Sequence, residues 1–223
     1  MIDLGTWNLS IPVGSPPTTI ETKQLLQGYD DKYFTSGSSN ISFWAPVTGA
    51  RTANAIYPRT ELRETWSNGT LHNWTYTEAD NFLNAKLKVI QVPSSGRVVI
   101  GQIHVYESTQ PLLKLEYQYQ DATKDGIIVA KVRFHPNDKK PRIFTIAEGI
   151  HLNETFNYVI HLNKAGLLSV KAHNMVWNDR ISATWSKQQL YFKAGVYTQD
   201  NTGYTSEGGK AMFFNLDVDH NKS

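Results

Sequence analysis

A chain of 223 residues, 12% of them aromatic, is long enough for one β sandwich whose core needs no cross-link, and it contains no cysteine, which excludes disulfides, thiolate metal sites and a cysteine nucleophile. The formal charge of +2, from 22 Lys and Arg against 20 Asp and Glu, is too even for a general nucleic-acid binder, so a site for a polyanion has to be local.

In chain order, the start Met1-Ile2-Asp3-Leu4-Gly5-Thr6-Trp7 has no basic segment and no apolar run of signal-peptide or membrane-span length. No membrane partner is expected, and the chain is either cytoplasmic or a mature exported form. Ile20 to Gln27 has a helix-like composition. Tyr57 to Glu64 reads as a strand with Arg59, Glu61 and Arg63 on one face and Leu62 on the other. Taken alone, that charged face fits an ordinary surface ion pair, worth 0 to ~1 kcal/mol, as well as it fits a site.

Phe82 to Val92 alternates with period two and ends at the turn Pro93-Ser94-Ser95-Gly96. From Val99 to Val105, Gln102 and His104 share one face while Ile103 and Val105 point to the core; a lone His here would usually be structural. Leu112 to Gln120 and Ile127 to Phe134 flank Lys124-Asp125-Gly126, and Pro136-Asn137-Asp138 follows as a turn. Phe156 to Leu162 and Leu167 to His173 form a hairpin about Asn163-Lys164-Ala165-Gly166. After a second helix-like stretch, Ser182 to Gln189, the segment Leu190 to Gln199 sets Tyr191, Lys193, Gly195 and Tyr197 against Phe192, Ala194 and Val196. Gly195 would leave room for a ligand at the backbone. Met212 to Val218 supplies the last strand. The loops Ser67-Asn68-Gly69-Thr70 and Asp200-Asn201-Thr202-Gly203 are either plain turns or lids over a cleft.

Many strands joined by short turns, with no helix long enough to cover a parallel sheet, predict an all-β protein: a jelly-roll sandwich of two antiparallel sheets in one domain, 1–223. The seven histidines are scattered without H-x-H or H-E-x-x-H spacing, so no catalytic metal is implied.

Arg59-Thr60-Glu61-Leu62-Arg63, Gln102-Ile103-His104 and Tyr191-Phe192-Lys193-Ala194-Gly195-Val196-Tyr197 resemble the signatures R-T/S-E-L-R, Q-I/V-H and Y-F-K-A-G-x-Y of the alginate lyases of polysaccharide lyase family seven. They stand in the family's order, and the likeness covers essentially the whole chain. The resemblance implies a concave substrate cleft, a catalytic set of Arg59, Gln102, His104 and Tyr197, and Glu61, Arg63, Tyr191 and Lys193 as supporting or substrate-binding residues. It implies endolytic cleavage of the 1,4-glycosidic bonds of alginate by β-elimination, giving unsaturated oligouronates. It also implies a lean toward guluronate blocks carried by Ile103; no cofactor and a monomer are expected. A polymer substrate favours a secreted or periplasmic protein. The rival from another class is a carbohydrate-binding module for acidic polysaccharide, which would use the same groove without a base or an acid.

Overall fold

The computed structural model describes all 223 residues, Met1–Ser223. In chain order the strands are β1 (Trp7–Ser10), β2 (Thr19–Ile20), β3 (Phe34–Ser36), β4 (Ile41–Pro46), β5 (Arg59–Glu64), β6 (Asp80–Gln91), β7 (Arg97–Val105) and β8 (Leu113–Gln120). They continue with β9 (Asp125–Val132), β10 (Arg142–Ile150), β11 (Phe156–Leu162), β12 (Leu167–Ala172), β13 (Met175–Arg180), β14 (Leu190–Thr198) and β15 (Gly208–Asn221). One sheet runs β10-β9-β8-β7-β14-β5-β1-β2 and the other β13-β12-β11-β6-β15-β4-β3, with every pairing antiparallel. This is the sandwich that the alternation predicts.

The apolar face of each strand turns toward the opposite sheet, and 48 buried residues form one continuous core between them. Phe34, Phe43 and Phe213 meet edge to face at 5.3 and 5.2 Å. Burying each such ring contributes about 1.5–3 kcal/mol. Polar atoms that enter the core are partnered: the Tyr158 hydroxyl donates across the sandwich to Ile100 O at 2.9 Å. A Cβ at Gly101 would stand 2.6 Å from that hydroxyl, so the close approach of the sheets here needs a glycine.

β1 to β4, β10 and β13 are strands that the sequence pattern does not announce. β13 is a sheet edge exposed along most of its length, which erases any alternation, and β10 carries two register shifts against β9. Of the two helix-like stretches, the first shrinks to α1, Thr22–Leu26. The second is a 3-10 turn, Ala183–Lys187, tied down by the buried Trp185, whose indole donates to Arg133 O at 3.0 Å. The hairpin about Asn163–Gly166 forms as expected, with Gly166 N–H donating to Asn163 O at 3.0 Å. No helix is long and apolar enough to cross a membrane.

At the centre of the first sheet the pairing fans out. Between Ala194 and Tyr197, three steps of β14 face two of β7, and the two steps from Gly101 to Val99 face one of β8. Each bulged strand bends, and the hollow outer face at this point carries the site.

Candidate active site

β5, β14 and β7 are neighbours, so the three motifs lie side by side. Tyr197 pairs with Arg59, Gly195 with Glu61 and Lys193 with Arg63; on the other edge of β14, Lys193 pairs with Gln102 and Tyr191 with His104. Their polar faces form the floor of a cleft of about 450 Å³ that crosses β1, β5, β14, β7 and β8. Its charged lining is Arg59, Arg63, Lys114 and Lys193, with Glu61 as the lone carboxylate.

Glu61 has no solvent exposure and is fully bonded. Its Oε1 accepts from Arg59 Nη1 at 2.9 Å and from Lys193 Nζ at 2.8 Å, and its Oε2 accepts from Gln102 Nε2 at 2.7 Å. Burial pushes this carboxyl's pKa up, but the charges of Lys193 and Arg59 and the hydrogen bonds from Lys193 and Gln102 outweigh it and hold the group at about 2. Glu61 therefore sits beneath the floor as a permanent anion that fixes three cleft side chains. Lys193 moves the other way: burial and Arg59 bring its ammonium down to about 8 against the opposing pull of Glu61.

His104 is neutral over most of the pH range, because burial and the charges of Lys193 and Arg59 lower its pKa to about 3. Its Nδ1 accepts the Val105 N–H at 2.8 Å, with Val105 O 3.1 Å from the same nitrogen, so either tautomer finds a backbone partner. The Tyr191 hydroxyl is 3.2 Å from Nδ1 and the two rings stack at 5.4 Å. Tyr191 thus backs the imidazole, and it is absent from the cleft lining. Arg63 lies 3.6 Å over the Tyr191 ring and donates to Glu64 O, His72 O and Asn73 Oδ1, which makes it a strut between β5 and the following loop. Arg59 stacks 3.8 Å over Tyr197, and its Nε has no partner within the protein. Burial raises the Tyr197 phenol above its ordinary value against the pull of Arg59, so it carries its proton at neutral pH.

All eight residues singled out in the sequence come together, but Gly195 does not serve a ligand. Its φ is +144°, and a Cβ there would meet Thr60 O at 2.6 Å and Glu61 Cα at 2.9 Å, so the glycine admits the backbone of β5. The two suspected lids are pinned turns outside the cleft lining. Asn68 Oδ1 accepts the Thr70 N–H at 3.1 Å; Asp200 Oδ2 accepts the Ser95 N–H at 3.0 Å. The loop residues that do line the cleft are Thr52 to Ala55, Leu71, Ser108, Thr109 and Pro111. Lys114, Asn8 and Ser10 were also missed. Lys114 was within reach of the sequence, because it alternates with the buried Leu113 and Leu115.

The family described as alginate lyase matches residues 2–220. Among solved structures, an alginate lyase of Pseudomonas aeruginosa is 46% identical, with a TM-score of 0.94 over 98% of this chain and 99% of that one. The alginate lyase A1-II', a member of polysaccharide lyase family 7, is 31% identical, with a TM-score of 0.87 over 100% of this chain and 97% of that one. A variant of A1-II' has been crystallised with a substrate, GGMG. An alginate lyase of Klebsiella pneumoniae is 29% identical over 98% of this chain and 89% of its own length.

Proposed function

Because this chain belongs to the alginate lyase family, we propose that as one catalytic domain, 1–223, it cleaves alginate endolytically by β-elimination, releasing oligouronates with a C4=C5 double bond. The observation that carries this reading is the cleft's charge: four basic side chains, an imidazole and a phenol surround a single carboxylate whose oxygens are already bonded. A glycoside hydrolase needs two carboxylates free to act across the bond, and this cleft has none to spare.

Elimination removes the proton on C5 of a uronate and expels the oxygen on C4. The obstacle is the carboxylate beside C5, whose charge opposes the developing carbanion. Arg59 lines the cleft and gives Glu61 only its Nη1, and the Gln102 amide keeps a second N–H beyond the one given to Glu61. Donors preorganised where charge develops contribute on the order of 10² to 10³ in rate each. His104 with its proton on Nδ1, bonded to Val105 O, presents an Nε2 lone pair as the base, and the protonated Tyr197 delivers a proton to the leaving oxygen. That pair suits guluronate, where proton and leaving oxygen lie on opposite faces. For mannuronate they share a face, and Tyr197 performs both transfers.

Lys193, Lys114 and Arg63 hold neighbouring uronates. Four strand spacings from β1 to β8 give a floor of roughly 19 Å, long enough for several sugar rings and suited to attack within a chain. Ile103 supports a preference for guluronate-containing blocks, and a polymeric substrate supports action outside the cytoplasm. The test is ultraviolet absorbance during incubation with alginate, guluronate-rich blocks and mannuronate-rich blocks. A rise that disappears in Tyr197→Phe supports the reading; binding of all three polymers with no rise would replace it with a carbohydrate-binding module.

A further inference from the structure

On the opposite face of β5 from the cleft, Glu64 is 1% exposed and reaches into the end of the sandwich. Its Oε2 accepts the Trp74 Nε1–H at 2.7 Å and the Phe192 N–H at 3.0 Å. Its Oε1 contacts His220 Nε2, from the far end of β15 in the other sheet, and lies 3.4 Å from His72 Nδ1, on the connection that follows β5. The donor atoms of all three residues lie within 4.8 Å of one another.

The protonation of His220 is fixed from behind. Asn81 Nδ2 donates to Tyr76 O, Ala79 O and Leu162 O at 3.0–3.3 Å, so its Oδ1 is the atom that faces His220 Nδ1, at 2.7 Å. Nδ1 is therefore the donor, and in a neutral imidazole Nε2 then presents a lone pair to the Glu64 carboxylate. Two acceptors in contact require a cation between them. A proton satisfies that one pair, but the second imidazole, His72, lies 3.4 Å from the same oxygen, so the carboxylate faces two imidazoles at once.

We propose that Glu64, His72 and His220 bind one borderline-soft divalent ion of the zinc class, with water completing a tetrahedral shell. Two imidazoles and a carboxylate suit such an ion better than Mg²⁺ or Ca²⁺. Metal–ligand bonds of about 2.0–2.1 Å set tetrahedral ligands roughly 3.3 Å apart. The Glu64–His72 distance already fits, and the Glu64–His220 contact has to open by less than ~1 Å. The outer shell is in place as well: Asn81 orients His220, Trp74 and Phe192 orient the carboxylate, and Trp66 stacks on the His72 ring at 3.5 Å. The ion would pin the end of β15 to β5 and to the connection between β5 and β6.

The test uses the full chain without an affinity tag, stripped of metal and titrated with Zn²⁺ by calorimetry, with Mg²⁺ as the hard-ion comparison. One equivalent of Zn²⁺ is expected, with affinity rising from pH 6 to 8 as protons are displaced, and at 100 times Kd a melting temperature higher by about 5–10 °C. His72→Ala and His220→Gln each weaken binding at least tenfold. If His220→Gln fails to fold, His72→Ala decides, since that side chain is at the rim and has the longer contact. The surface trio His151, Glu154 and His173, each at least a third exposed, is the control. Absence of saturable binding, full affinity in His72→Ala, or loss of binding in His173→Ala overturns the proposal.

Discussion

Glu61 and Glu64 stand three residues apart on one strand, both buried, and they face opposite sides of the sheet. Glu61 meets an arginine, a lysine and an amide, and its work is to aim them into the cleft. Glu64 meets two histidines, an indole and a backbone amide, and joins the two sheets at one end of the sandwich. The residue type is the same; the partners decide the consequence. Arginine and a paired lysine stay charged at neutral pH, so the cleft keeps a fixed positive surplus. A histidine offers a lone pair as well as an N–H, so the far side can accept a cation where the cleft cannot.

That contrast can be broken by substitution. Tyr197→Phe should lower kcat by ~10³-fold while leaving the melting curve nearly unmoved, because only a proton-transfer group is lost. Glu61→Gln should damage both properties: it leaves Arg59 and Lys193 without their counter-charge, costing about 3 kcal/mol in denaturant unfolding and ~10²-fold in kcat/KM. Glu64→Gln should cost about 1–3 kcal/mol of stability and change kcat less than about threefold. A large kcat loss in that variant would collapse the distinction between the two faces.

The pH responses sharpen it further. Lys193 titrates at about 8, so kcat/KM should fall as pH rises through about 8, and Lys193→Arg should carry that limb upward in a pH–rate profile. His104 falls from an ordinary 6.5 to about 3 in the fold, and Glu61 from 4.5 to about 2. In both cases the unfolded chain takes up the proton first. The stability is therefore whole above the unfolded values and drains as pH falls, from 6.5 toward 3 for His104 and from 4.5 toward 2 for Glu61. Denaturant midpoints measured against pH should show this slope, and His104→Asn should flatten the part between 6.5 and 4.5.

How much of this was readable in the sequence depends on whether a signal is local. β6, β8, β11 and β12 alternate in sequence because one face of each is in the core, while β9 reads as a strand through the apolar run Ile127 to Ala130. β13 left no trace because it is wet along most of its length. In the site, alternation put Gln102 with His104 and Lys193 with Tyr197, but only the register between strands sets these pairs beside Arg59. Strand pattern also made Glu61 look like a cleft residue on a par with Arg59, whereas its three partners come from β5, β7 and β14 and bury it completely. The Glu64 cluster was hidden for a plainer reason: His220 lies 156 positions from Glu64, and no spacing rule spans that.

The fanned pairing around Gly195 has a bearing on how such a chain can change over evolutionary time. A substitution on the core side of β14, at Phe192 or Val196, alters packing by a few methyl groups, and neighbours can adjust. Deleting one codon between Lys193 and Tyr197 is a different event: it would rotate the phenol into the core and set Thr198 in its place, and no substitution elsewhere restores the parity. In this strand, a change in the number of residues costs more than a change in the identity of a core side chain.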